Sequence, residues 1–483
     1  MKNHKTDQPN GYRIEQDFIG EMAVPTEVYY GVQTARALEN FPITGYHLDE
    51  ALISAMGIVK KAAALANIQA GLLDERRGQA IAGASQEVME GKFNDQFVVD
   101  PIQGGAGTSI NMNANEVIAN RAIEMLGGKL GDYSLVSANN HVNMSQSTND
   151  AFPTALRIAL INKAGGLLQA TGEVEKELRL KSVEFDDVLK IGRSHLQDAV
   201  PIRMGQEFGA YADVVARFIQ RLRQACEGLL SVNMGATAVG TSLNADSTYV
   251  ELVIERLREI TGMDLRLADN LVDATQNTDA FVEFSSSMKN LATALSKIAN
   301  DLRLLASGPY CGLKEINLPQ MQPGSSIMPG KVNPVIPEVV NQVAFQVTGN
   351  DLVVTLASAA GQFELNVMEP VMAFNLLQSV NILTNAQHVF ASRCIRGITV
   401  NRDRCRELVD SSVCIVTALS PHLGYGASSA IAREAMQQGR KVRDIVLEKQ
   451  LMSEEKLDKI LDAYGMTRMG ISGREFLGKC ERA

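Results

Sequence analysis

The sequence predicts an all-α protein built on a central bundle of long helices, and three observations carry that prediction. The chain of 483 residues contains 14 prolines, yet none falls between Pro201 and Pro309. That interval lacks the residue that most strongly breaks helices. Within it, apolar residues recur at alternating steps of three and four. Phe281, Phe284, Met288, Leu291, Leu295, Ile298, Leu302 and Leu305 form one seam, and Phe208, Tyr211, Val215, Phe218, Leu222, Ala225 and Leu229 form another. Strand-like alternation of period two is scarce, so any sheet is expected to be a minor piece near the N-terminus.

Taken in chain order, the first expected element is a strand around Tyr12 to Ile19. Helical segments follow over Ala51 to Glu90, Thr154 to Ser182, the two seams, and Val371 to Arg396. The long-helix pattern begins near Ser147 and fades near Val400. The implied domains are 1–146, mostly helical; 147–400, the long-helix bundle; and 401–483, a small helical C-terminal domain. One amphipathic helix would be satisfied by the core of a monomer. Several long seams together favour a bundle shared between subunits.

Composition narrows the function. Apolar residues make up 45% of the chain, enough for an ordinary buried core, and the net charge of −9 comes with basic residues scattered among acids. Nucleic acid and membrane surfaces are disfavoured as partners. The N-terminal arm has no apolar signal core and no uninterrupted apolar run reaches membrane-spanning length, so the cytoplasm is the expected location. The six cysteines include no C-x-x-C pair, and no disulfide is expected. The six histidines include no H-x-H or H-E-x-x-H spacing, so no metal site is assigned.

Four polar segments, expected as loops, interrupt the helical plan: Gln103 to Asn115, His141 to Asp150, Gly192 to Pro201, and the run G-S-S-I-M-P-G-K-V-N-P from Gly324 to Pro334. The last combines flexible glycines with Lys331, a composition that can turn main-chain N–H groups toward an anion. It is not a phosphate-binding P-loop. Five residues separate Gly324 from Gly330 where that motif has four, and Val332 follows the lysine where Ser or Thr should bind magnesium. Short neutral donors recur in all four segments with two histidines, His141 and His195, and one lysine, which suits a small, doubly charged acid. A straight helix of about thirty residues between Asn149 and Gly192 would hold those segments roughly 45 Å apart. If both serve one ligand, they must come from different subunits.

These segments carry a resemblance that covers nearly the whole chain. G-T-S-I-N-M-N-A-N-E, S-Q-S-T-N-D, G-R-S-H and G-S-S-I-M-P-G-K-V-N-P are together similar to the shared motifs of the fumarase/aspartase superfamily. H-L-Q-D-A-V-P-I, E-I-N-L-P-Q-M-Q-P-G-S-S and E-L-N-V-M-E-P-V are most similar to its aspartate ammonia-lyase branch. Fumarases tend to carry T-Q-D-A-T-P after the histidine, a lysine where Glu369 stands, and T-Q-C-E where this chain has V-I-P-E.

The resemblance implies a three-domain all-α homotetramer that reversibly removes ammonia from L-aspartate to give fumarate, with no organic cofactor. The alternatives are fumarate hydration and a non-catalytic relative of the kind found among lens proteins. It implies Ser325 as the base, on a mobile loop, forming an aci-carboxylate dianion. Thr108, Ser147, Thr148 and Ser326 would hold the carboxylate that becomes the dianion, while Lys331 and Asn333 clamp the other one. Asn149 and His195 would face the amino group, and Glu338 would orient the histidine. Ser194, a further substrate contact, stands where relatives usually carry threonine, and Tyr310 where they often carry arginine. A serine alkoxide must be stabilised by several pK units at about 1.36 kcal/mol each. One oriented donor supplies roughly 2.7 to 4 kcal/mol, so two or three loop N–H groups would suffice.

Overall fold

The computed structural model describes residues 11–477; the arm before Gly11, with His4, and the C-terminal Cys480 lie outside the described residues. The chain opens with strands β1 (Tyr12–Gln16) and β2 (Glu21–Pro25), antiparallel with Tyr12 opposite Pro25. Helices α1 (Val32–Asn40), α2 (Glu50–Gln69), α3 (Glu75–Met89) and α4 (Thr108–Met125) come next. The 37-residue α5 (Thr148–Glu184) leads into a hairpin of β3 (Leu189–Ser194) and β4 (Gln197–Arg203). Then follow α6 (Met204–Leu229), β5 (Ser231–Val232), α7 (Ser247–Thr261), β6 (Arg266–Leu267), α8 (Leu271–Gln276) and α9 (Asp279–Leu305). After β7 (Ile316–Asn317) come α10 (Val335–Ala359), α11 (Glu369–Arg393), β8 (Thr399–Val400), α12 (Arg402–Ser411) and a series of short helices that runs to Phe476.

The all-α reading holds, and every residue of the two seams is buried. Side-chain bonds tie the five long helices pairwise. Arg157 of α5 lies over the Phe281 ring of α9 and donates to the Gly228 carbonyl of α6. Lys289 of α9 pairs with Asp351 of α10, Asn350 of α10 donates to Ser379 of α11, and His388 of α11 meets Glu173 of α5.

The described residues fall into two compact units interleaved in sequence. In the first, residues to 169, 218–292 and 343–384, α2 packs against α3 and α7, and α4 against α1 and α3. Asp49 caps α2 by accepting the Ala51 N–H. That helix is long and apolar enough to cross a membrane, but 72% of its apolar window is buried inside the protein, as a core helix should be. In the second unit, residues 170–217, 293–342 and 385–483, the β3–β4 hairpin packs against α12. A separate apolar cluster there includes Leu419, Ile431, Val442, Ile445, Leu457 and Ile460.

Several sequence expectations need correction. Gln103 to Asn115 is not a loop throughout: from Thr108 it is the first half of α4, where Asn111, Asn113, Asn115 and Glu116 are buried. Asparagine favours caps and turns by local competition with the backbone, and here that preference is overridden by tertiary partners. Gly192 to Pro201 belongs mainly to the β3–β4 hairpin, and among the described residues the sheets are four two-stranded pairs rather than one near the N-terminus. The helical segments expected over Ala51 to Glu90 are α2 and α3, parted at Ala70–Asp74.

Helix α5 begins six residues before its expected start because Pro153 is tolerated inside it. Proline leaves the carbonyl four residues earlier without its helical donor. That carbonyl belongs to Asn149, and Asn233 Nδ2 donates to it at 3.0 Å. Helix α10 is absent from the sequence expectations. Its run V-I-P-E-V-V-N-Q-V-A-F is apolar on most faces and so shows little helical period.

Candidate active site

The Gly324–Pro334 segment is an irregular loop that closes on itself. The Gly324 N–H donates to the Lys331 carbonyl at 2.7 Å, and Asn333 Nδ2 donates to the Gly324 carbonyl at 2.7 Å. A Cβ on Gly324 would stand 2.8 Å from both the Asn333 nitrogen and the Lys331 oxygen, so close approach is what demands glycine there. Gly330 is needed for a different reason, its φ of +83°. Inside this closure Ser325 Oγ accepts two backbone N–H groups, from Ile327 at 3.2 Å and Met328 at 3.0 Å, the geometry of a serine turn. Ser326, Ile327 and Met328 are exposed.

Lys331, Asn333 and Glu338 share a cavity of about 580 Å³ with Arg303, Lys314 and Asn317. Three cations and one carboxylate line it, a balance suited to an acid. Arg303, which also donates to Asn341, and Lys314 were not anticipated from the sequence. His195 is not among the lining residues of this cavity, and Tyr310 is fully exposed.

His195 and Leu196 form the two-residue tip of the β3–β4 hairpin, between Ser194 and Gln197, with φ of 55° and 59°. Positive φ at both central positions is the demand of a type I′ turn, normally met by Asn-Gly. Non-glycine residues there carry strain of about 1–3 kcal/mol each, a cost that clusters at functional sites. Ser194 and His195 are both exposed. The hairpin is anchored by Arg193, which forks onto the fully buried Glu315 at 2.7 and 3.1 Å. The Glu315 carbonyl in turn accepts the Asn401 N–H, which seats the residue before β7. Arg193 lay inside the G-R-S-H motif without an assigned role.

A third cluster lies where α4 and α5 begin. Ser147 and Asp150 form a capping box: Ser147 Oγ accepts the Asn149 N–H, and Asp150 Oδ1 accepts the Ser147 N–H at 2.9 Å. The other Asp150 oxygen accepts from Gly235 and Thr237, so the turn holding Ser147 and Thr148 is fixed from both sides. Burial pushes the Asp150 carboxyl up to about 6, against those N–H donors and the Lys60 charge. Asn149 Nδ2 donates to the Ala238 carbonyl at 2.7 Å. Thr108 is the first residue of α4, with its hydroxyl on the Gly105 carbonyl. One turn along, Asn111 Nδ2 reaches the buried Thr148 Oγ1 at 3.0 Å. Behind Asn111 stands Lys60, the first of two adjacent lysines in the apolar helix α2.

Glu369, at the start of α11, is buried, and its Oε2 has no partner. Burial pushes its carboxyl up to about 8, opposed by the cation of Arg157. Burial also lowers the Arg157 pKa.

Comparison with known proteins identifies the family. A family model described as lyase matches residues 20–349, and one described as fumarase C C-terminus matches residues 415–468. The chain is 58% identical to an aspartate ammonia-lyase from a Bacillus species, covering 96% of this chain and 99% of that one. Identity is 51% to an aspartate ammonia-lyase of Helicobacter pylori, over 94% and 97% of the two chains. Among solved structures, a fumarate lyase:delta crystallin from Brucella melitensis bound to cobalt superposes with a TM-score of 0.92 at 47% identity, covering 95% of this chain and 100% of that one. A class II fumarase from Schistosoma mansoni gives the same score at 36% identity, over 94% and 99%. The serine loop, the histidine hairpin and the capped S-T-N turn thus sit on a fold shared from end to end with these enzymes, and the chain belongs to the lyase family that contains the aspartate ammonia-lyases.

Proposed function

We propose that this enzyme reversibly eliminates ammonia from L-aspartate to give fumarate. The observation that carries the mechanism is Ser325 Oγ held under two backbone N–H groups at 3.2 and 3.0 Å. Each donor is worth roughly 2.7 to 4 kcal/mol to an oxyanion in a site that excludes water, which this exposed loop reaches by closing over the substrate. Together they supply about 5 to 8 kcal/mol, or about four to six pK units toward the alkoxide.

In this reading the Ser325 alkoxide takes the proton from the carbon beside the side-chain carboxylate. The C–H electron pair moves into that carboxylate as a dianion, then returns to form the double bond while the C–N pair leaves with the amine. Thr108, Ser147, Thr148 and Ser326 donate to the dianion, Thr108 by turning its hydroxyl away from the Gly105 carbonyl. Ser147 and Thr148 each have an oxygen that already accepts a bond, which leaves the hydroxyl proton for the ligand. Lys331 and Asn333 clamp the second carboxylate, with the cationic lining around them in support. Asn149, Ser194 and His195 face the amine, and Glu338 orients the histidine. The reading calls on no organic cofactor.

The assembly that fits is a homotetramer with active sites shared between subunits. Helix α5 exceeds the thirty residues on which the separation of its ends was argued, and the exposed Phe345, Leu352 and Leu356 of α10 offer an apolar face to another copy. The domain plan is 1–146, 147–400 and 401–483, and the location is the cytoplasm, in keeping with five free cysteines among the described residues.

Hydration of fumarate is the rival, since a fumarase shares the fold. The higher identity to ammonia-lyases, 58% against 36%, favours the amine. Ultraviolet detection of fumarate formed from L-aspartate and separately from L-malate decides between them. Turnover of malate alone would reverse the assignment.

A further inference from the structure

Lys60 is fully buried on α2. Its Nζ donates to three amide oxygens: Asn111 Oδ1 at 2.6 Å, Gln146 Oε1 at 2.8 Å and Asn143 Oδ1 at 3.1 Å. An ammonium has three protons and no acceptor, so every amide that faces it must present oxygen. This fixes which way round Asn111 sits. With Oδ1 on Lys60, its NH₂ group points the other way, onto Thr148 Oγ1 at 3.0 Å and Asn143 Oδ1 at 3.2 Å. Asn115 Nδ2 also donates to Asn143 Oδ1, which keeps that oxygen an acceptor.

The consequence falls on Thr148. A hydroxyl has one proton, and if its oxygen already accepts from Asn111, that proton is left to be given elsewhere. We propose that Lys60 is a positioning residue which, through the amide of Asn111, sets the direction of the hydrogen bond that Thr148 gives to the substrate carboxylate. The proposal rests on the reading of Thr148 as a carboxylate donor. Burial pushes the Lys60 pKa down to about 7, with the Asp150 charge opposing. The three oxygens around it satisfy the ammonium form, which alone has three protons to give.

Reversing the relay without emptying the site tests it. Asn111→Asp keeps an oxygen for Lys60 but replaces the NH₂ donor with a second acceptor, so Thr148 must turn its proton inward. Lys60→Met removes the source of the polarity, and because it strands the oxygens of Asn111 and Gln146 its fold is checked by melting temperature and oligomer size. Steady-state turnover of L-aspartate is measured for Asn111→Asp, Lys60→Met, Thr148→Val and the Asn111→Asp/Thr148→Val pair. The expected result is a loss of about tenfold or more in kcat/KM for Asn111→Asp, the effect of one hydrogen bond to a charged group. Adding that change to Thr148→Val should then cost less than about threefold. Contact between the two residues would by itself make them non-additive, so Asn111→Asp must also keep the wild-type melting temperature and oligomer size while kcat/KM falls. If Thr148→Val is impaired while Asn111→Asp stays near wild type, or if the two losses multiply in full, the relay is wrong although Thr148 still binds the carboxylate. If Thr148→Val itself turns over as wild type does, the underlying reading fails and the relay with it.

Discussion

Replacing Ser325 by alanine separates catalysis from folding more cleanly than any other single change. The side chain is half-buried in a loop whose closure runs through Gly324, Lys331 and Asn333, and the two N–H groups on its oxygen are solvent-exposed. Losing two exposed hydrogen bonds should change stability by no more than about 1 kcal/mol, since freed donors can turn to water. The catalytic cost is of another order. The two donors were assigned about 5 to 8 kcal/mol of alkoxide stabilisation, and a variant with no oxygen to ionise forfeits all of it. At 1.36 kcal/mol per decade the loss in kcat is about four to six orders of magnitude. The assay is fumarate absorbance from saturating L-aspartate, with thermal melting and oligomer size as controls. Retention of kcat within about tenfold of wild type in a well-folded variant would refute the role of Ser325 and the account of how its oxygen is ionised.

Two further expectations follow from buried charge. Glu369 has an ordinary value of 4.5 and is pushed up to about 8 in the fold. The stability gained from its neutral form is therefore complete below pH 4.5 and lost as pH rises through 8, a swing of about 5 kcal/mol as an upper figure. Glu369→Gln removes the titration, so its unfolding free energy relative to wild type should climb across that window in denaturant titrations; parallel curves would contradict the assigned burial effect. Arg193→Ala leaves Glu315 buried without its fork, and removing one partner of such a pair costs about 3 to 5 kcal/mol. A loss below about 1 kcal/mol in the same measurement would show that the pair does not anchor the histidine hairpin.

The helical frame was legible because it rests on local periodicity. The seams at Phe281 to Leu305 and Phe208 to Leu229 repeat at a spacing that only a helix can place on one face, and all their members are buried. Helix α10 was not legible, since a run apolar on most faces carries no such period. The β3–β4 hairpin escaped for the opposite reason. Its tip uses histidine and leucine where turn chemistry demands glycine or asparagine, so no turn signal marked it.

The sequence by itself determined the helical class, the polar segments that carry the chemistry and the motifs that mark the family, because these depend on which residues stand near one another along the chain. Only the tertiary structure decided how those segments are held. That Ser325 lies under two N–H groups, that Arg193 grips Glu315 across 122 positions, and that Lys60 faces Asn111 from 51 positions away are facts of three-dimensional contact. Hydrogen bonds have direction and buried charges need partners, and neither requirement leaves a periodic mark on the chain.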